Sequence, residues 1–302
     1  MSVGGTIVLL YHRVADLRRD PHGLAVRPDR FVQHCEILRQ RCDVVRLCEA
    51  NRSLRQVAIT FDDGYVDNAG AARSILAAAG LPATFFVTVG RVGQPGQAWW
   101  DRLEQIFLDS EITASTIEIE IRGRRLWADT RSPRARERAH LALFWRLRPL
   151  CLADIESMLA DIENQLGVRS FDRESHRWMT VDELRALSAS PAVDIGAHTL
   201  THPFLPSLSA EEQWQEIDGS RESLEQLLGT RTSLFSYPYG GPDAVDTVTT
   251  ELVQKAGYTL ACTATGGIAR ADCKPLLIPR NVVGDWEAER FETWLDHWLR
   301  QP

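Results

Sequence analysis

The sequence predicts an α/β fold built on a mostly parallel sheet. Three observations predict it. Short apolar runs alternate with helix-like segments along most of the chain. Several helix-like segments carry their own start and stop signals. The polar residues best suited to chemistry fall where apolar runs end, and in parallel α/β sheets ligands gather beyond the carboxyl ends of the strands.

Residues 7–11 (IVLLY) are the first apolar run and read as a buried strand. Pro28 opens a helix, with Phe31, Cys35 and Leu38 at helical spacing. Residues 57–61 (VAITF) are a second strand, ending at Asp62-Asp63-Gly64. Residues 69–79 are rich in strong helix formers and stop at Gly80. Residues 83–87 (ATFFV) form the next strand, and 193–196 (VDIG) lead into His198. Thr180-Val181-Asp182-Glu183 and Ser209-Ala210-Glu211-Glu212 both carry the capping-box pattern and mark helix starts. Residues 234–237 and 259–262 are later strands, and 287–299 form an amphipathic closing helix.

The rhythm breaks between about 91 and 177, which reads as an insertion into a single domain spanning 1–302. Within it, 116–122 (TIEIEIR) alternates with period two and meets Gly123, predicting a hairpin that turns there. One helical stretch from 134 to 166 is expected to follow.

The chain has 302 residues, 44% hydrophobic and 25% charged, with a formal charge of −7. The excess of acid and the lack of a long basic run argue against nucleic acid as a partner, since phosphate binding needs clustered Lys and Arg. Of six cysteines none makes a C-x-x-C pair, which suits reduced thiols in a cytosolic protein. Met1-Ser2-Val3-Gly4-Gly5 runs straight into an apolar strand without a basic region, and no run reaches a membrane span. The expectation is a soluble protein kept inside the cell.

Four segments carry chemistry. One carboxylate of Asp62-Asp63 and the imidazoles of His198 and His202 make a three-ligand set for a divalent ion, most naturally zinc. Three protein ligands leave one position open for chemistry, and the second carboxylate is then free to act as a base. The Ser236-Tyr237-Pro238-Tyr239-Gly240 turn is suited to present a backbone N–H to a developing oxyanion. His12 stands at the end of the first strand, the same kind of place as the Asp pair.

Together, TFDDG at 60–64, H-x-x-x-H at 198–202 and Y-P-Y-G at 237–240 resemble the polysaccharide deacetylases, the NodB-homology domain of carbohydrate esterase family 4. The resemblance covers roughly 6–90 and 178–286; Trp99-Trp100-Asp101-Arg102-Leu103-Glu104 in the insertion is similar to a segment of some members. It implies a distorted (β/α) barrel, of TIM-like type, and a zinc or other divalent-metal hydrolase. By match to the motifs, Asp63, His198 and His202 would hold the metal and Asp62 would be the general base. The N–H of Tyr239 would help hold the oxyanion. A Leu-x-His motif near the carboxyl terminus, where many members keep their general acid, is absent; His297 sits in a pattern suited to a packing helix. Leu10-Tyr11-His12 fits the permuted arrangement of poly-N-acetylglucosamine deacetylases, so the acid falls to His12. Where the third motif usually begins with Arg, Ser236 stands, and Arg280 is the candidate to supply the missing guanidinium.

The reaction implied is removal of an N-acetyl, or O-acetyl, group from a glycan or carrier-linked sugar. Two alternatives stay open: a metal amidase acting on a small non-glycan amide, and a non-catalytic carbohydrate-binding relative. Trp99, Trp100, Trp178 and Trp286 are candidates to stack on sugars, although packing in the core explains each better.

Overall fold

The computed structural model describes residues 4–301. Met1, Ser2 and Val3, which figure in the expectation about the amino terminus, lie outside the described residues. Residues up to Gln94 together with those from Trp178 onward make one compact unit, and Pro95–Arg177 makes another.

The larger unit is built on seven parallel strands. Their order across the sheet is Leu260–Cys262, Leu234–Ser236, Val193–Ala197, Ala83–Val87, Arg55–Phe61, Gly5–Tyr11 and Asn281–Val282. All seven residues of Gly5–Tyr11 are buried, as strands covered on both faces must be. A row of rings crosses the centre: Tyr11 stacks on Phe61 at 5.4 Å and Phe61 on Phe85 at 4.7 Å. Each such buried ring contributes roughly 1.5–3 kcal/mol.

Residues 275–283 close the sheet on itself. Ala261 N–H donates to the Pro275 carbonyl, and Ile278 N–H to the Ala261 carbonyl, both at 2.9 Å. A few residues on, Asn281 and Val282 pair with Leu9 and Leu10 on the opposite edge. One short segment thus joins both edges and completes the expected distorted barrel.

The expected helix starts hold. Thr180 and Ser209 each complete a reciprocal capping box, with Glu183 and Glu212 respectively. Gly80 ends its helix in the left-handed conformation. The first turn of that segment differs from expectation: Asn68–Ala72 is π-helical, and the α-helix begins only at Arg73. In the closing helix, Ala288–Leu299, Phe291 and Leu295 point inward, while the His297 ring meets Gln301.

In the second unit the strands Thr116–Ile121 and Arg124–Asp129 form the expected hairpin. Arg122 and Gly123 turn it with φ of 50° and 75°, both positive as a tight two-residue turn requires. The helical stretch is two helices rather than one, Pro133–Leu147 and Leu152–Leu166. Pro149 has no N–H to continue the ladder, and the Leu147 carbonyl is taken instead by Leu150. Trp99, Trp100 and Trp178 are buried, as packing residues are. All six cysteines are unbridged, and no described helix is long and apolar enough to cross a membrane.

Candidate active site

Parallel strands end together, so the loops after Tyr11, Phe61, Val87, Ala197 and Ser236 converge at one rim of the barrel. Asp62 and Asp63 follow the strand Arg55–Phe61. Asp62 N–H donates to the Tyr11 carbonyl at 3.1 Å and the Asp63 carbonyl accepts from Thr88 N–H at 3.1 Å. Gly64 turns the chain at φ 91°, where a Cβ would stand 3.0 Å from a Val87 methyl.

His198 follows Val193–Ala197, its N–H bonded to the Val87 carbonyl at 2.9 Å. The loop to His202 is held from inside and outside. Thr199 Oγ1 accepts the His202 N–H at 3.0 Å. Glu216, on the helix Ala210–Leu228, accepts the N–H groups of Leu200 and Thr201 at 2.9 Å each and the Thr201 hydroxyl at 2.6 Å. Nothing in the sequence marked Glu216, one acid among many on that helix.

Backbone strain collects here. Among the described residues five non-glycines have positive φ, and four of them are Asp63, Thr199, His202 and Tyr239. Such conformations cost of order 1–3 kcal/mol each and persist where surroundings enforce them. Three of these four are candidate site residues, so the strain falls where the candidate groups are presented.

Asp63, His198 and His202 are all buried, and each brings a donor atom within 4.8 Å of the others. Both imidazole Nε2 atoms lie 3.5 Å from Asp63 Oδ1. That is long for a hydrogen bond. It is the spacing of donors sharing a tetrahedral ion, which stand about 3.3–3.5 Å apart when each is about 2.0–2.1 Å from the centre. His198 Nδ1 lies 2.7 Å from the Ser236 carbonyl, which can only accept. Nδ1 therefore carries a proton, which leaves Nε2, facing Asp63, as the atom free to ligate once it is itself deprotonated, the arrangement of a ligating histidine. The donor set fits a divalent cation such as zinc.

Asp62 is not one of the three, although its Oδ2 lies 3.8 Å from His198 Nε2, and it is gripped by other groups. Arg280 donates Nη1 to Oδ1 at 2.7 Å and Nη2 to Oδ2 at 2.6 Å. Ser236 Oγ donates to Oδ2 at 3.0 Å and accepts from Arg280 Nη2 at 2.7 Å. A carboxylate has about four acceptor positions; these three bonds leave one, on Oδ1. Barrel closure explains the reach of Arg280, which sits in the closing segment between the pairings of Ile278 and Asn281. The sequence pointed to Arg280 and to Ser236 as the residue in the place of the usual Arg, but not to the hydroxyl joining them.

Electrostatics follow from burial and neighbours. Burial pushes the Asp62 carboxyl up, but Arg280 and then His198 outweigh it, and the net is a lowered pKa. Asp63 is likewise raised by burial and brought well below the usual carboxylate range by the imidazoles around it. For His198 burial favours the neutral ring, yet Asp62 and Asp63 prevail and its pKa is raised. Burial dominates at His202 and lowers it to about 3.

His12 follows the first strand and is half-buried. Its ring lies within electrostatic range of Asp62, Asp63 and His202, and its carbonyl accepts from Asn68 Nδ2 at 2.8 Å. The Tyr239 ring stands edge-on to His202, centroids 4.7 Å apart at 65°, on a left-handed backbone at φ 64°.

The polysaccharide deacetylase family model matches residues 49–125 and 160–261, more than half of the chain. The chain belongs to the polysaccharide deacetylase family. A curated protein of this family, "Putative polysaccharide deacetylase YxkH" of Bacillus subtilis (strain 168), is 26% identical over 97 residues. That match spans 32% of this chain and 34% of the relative. Two solved deacetylase-fold structures match nearly end to end. Streptococcus pyogenes deacetylase PplD, in complex with acetate, superposes with a TM-score of 0.63 at 17% identity, covering 100% of both chains. IcaB from Ammonifex degensii gives 0.63 at 18% identity, covering 99% of this chain and 98% of its own. At such identities the likeness shows the fold, the deacetylase barrel.

Replacing Arg280 should be felt in both stability and activity. Arg280→Met leaves Asp62 buried without its cation, and breaking a buried pair costs about 3–5 kcal/mol. With the larger of the charges that oppose burial gone, the Asp62 pKa rises. For Asp62 to act as a base it must be deprotonated, so in that role the acid limb of the rate profile should move to higher pH. Denaturant melts and a kcat/KM profile against pH check both parts.

Proposed function

We propose that this chain is a metal-dependent deacetylase that hydrolyses the N-acetyl group of a sugar in a glycan or on a carrier. The observation that carries the reading is the division of labour between adjacent acids: Asp63 converges with His198 and His202, while Asp62 is held aside by Arg280 and Ser236. Family membership supports the acetylated glycan as substrate, and acetate, the product expected here, is what a relative of the same fold holds. We read Pro95–Arg177 as an insertion into the deacetylase unit.

Asp63, His198 and His202 would hold the cation. When bound, a divalent ion such as zinc supplies Lewis acidity, polarising the acetyl carbonyl and lowering the pKa of a water toward neutrality. Asp62 takes the proton of the attacking water on the open position of Oδ1. Arg280 keeps that carboxylate ionised and fixes its plane. The Tyr239 N–H, on its left-handed turn, donates to the oxyanion. His12, at the end of the neighbouring strand, gives its proton to the departing nitrogen. The C–N bond breaks, and acetate and free amine leave.

The direct test is acetate release from a panel of N-acetylated sugars, free and carrier-linked, by protein stripped with a chelator and then reloaded with zinc or cobalt. Activity should vanish on stripping and return on reloading. Metal-independent release, or none from any sugar, would remove the proposal. His12→Ala should reduce turnover of amides about 10²–10⁴-fold, the usual range for a general acid, and affect activated aryl esters far less, because their leaving group needs no proton. Equal losses on both would refute the acid.

A further inference from the structure

The mechanism leaves the ion pair of Arg13 and Asp67 without a task. Arg13, the residue after His12, is 1% exposed. Its Nε and Nη2 lie 3.0 and 2.9 Å from Asp67 Oδ2, and its guanidinium carbon stands 4.1 Å over the Tyr65 ring. Asp67 Oδ1 accepts the Val14 N–H at 3.0 Å. Asn68 Nδ2 donates to the His12 carbonyl at 2.8 Å and is 3.3 Å from Asp67 Oδ1. On the near side, Asp62 N–H holds the Tyr11 carbonyl. Four successive residues, Tyr11 to Val14, are thus each fastened to the single segment 62–68.

Stability alone is a poor reason for this. The cost of taking both charges out of water offsets most of their attraction, and the best-attested use of such pairs is to fix geometry. His12 has need of it. The strand before it has ended, and the next, Arg13–Val14, is two residues long. Asn68 also opens the π-helical turn Asn68–Ala72, a local departure that is frequent at functional sites.

We propose that Asp67, with Arg13 and Asn68, is a positioning device that sets the His12 imidazole relative to Asp62 and Asp63. One loop, 62–68, then presents the base and also places the acid. The inference rests on the acid role of His12 argued above.

The test is a double-mutant cycle on metal-loaded protein: the parent, Asp67→Asn, His12→Ala and the double variant. kcat and KM are measured on an N-acetylated sugar and on an activated aryl acetate. Asp67→Asn should lower kcat on the amide about 10- to 100-fold, part of the full general-acid contribution. KM and ester turnover should change by no more than a few-fold. Added to His12→Ala, Asp67→Asn should cost nothing further on the amide, because there is no acid left to misplace. Asn68→Ala, which keeps the ion pair, should show the same selectivity with a smaller loss, and it stands in if Asp67→Asn does not fold. If His12→Ala is amide-selective while Asp67→Asn and Asn68→Ala harm both substrates equally, or their effects multiply with that of His12→Ala, the positioning role is overturned and the acid role survives. If His12→Ala itself shows no selectivity, both fall.

Discussion

Asp62→Asn should keep its metal and lose about 10²–10⁴ of kcat. The amide that replaces the carboxylate retains the shape of the side chain but has no basicity with which to take a proton from water. The three converging side chains are untouched: both imidazole Nε2 atoms lie 3.5 Å from Asp63 Oδ1, whereas Asp62 Oδ2, 3.8 Å from His198 Nε2, is taken up by Arg280 and Ser236. The substitution also leaves Arg280 buried opposite a neutral amide, so some stability should go with the activity, about 3–5 kcal/mol. Kinetics therefore belong at a temperature where circular dichroism shows the variant folded. Zinc content equal to the parent, with turnover gone, is the expected pair of results. Parent-like turnover would remove the base, and loss of zinc would mean that Asp62 is itself a ligand.

His198→Ala should lose the metal and, with it, the activity. Two ligands remain, and the tautomer fixed by the Ser236 carbonyl is lost with the ring. The same residue predicts the pH dependence of loading. Asp63 is already ionised and His202 already neutral at moderate pH, their pKa values being lowered. His198 is different, because Asp62 and Asp63 raise its pKa above the usual ~6.5 of histidine. A metal must displace that proton. Apparent affinity should rise about tenfold per pH unit below the raised pKa and level off above it, with one proton released per ion. Calorimetry in two buffers of different ionisation enthalpy counts that proton. A flat affinity through this range would contradict the ligand role of His198.

Much of this site was legible because its parts are local. An apolar run followed by Asp62-Asp63-Gly64 marks a strand end, and two histidines four apart mark a loop. Capping boxes at Thr180 and Ser209 and the turn at Gly123 follow from short-range rules. What escaped depends on partners that no periodicity announces. Arg280 was named as the source of the missing guanidinium, but the Ser236 hydroxyl that joins it to Asp62 was not. Glu216 braces the histidine loop from a helix that carries several other acids, and no spacing rule singles it out. Nothing in the spacing around Arg13 announces the Asp67 and Tyr65 that surround it. The break at Pro149 was open to a local reading, because a proline inside a helical stretch removes a donor.

The most direct measurement is anomalous diffraction at the zinc edge from crystals of the zinc-loaded protein. The expected result is a single strong peak about 2.0–2.2 Å from Asp63 and from Nε2 of both His198 and His202, at zinc–ligand distance, with Asp62 outside bonding range. A peak bound by Asp62 in place of Asp63, or no peak between those three side chains, would contradict it.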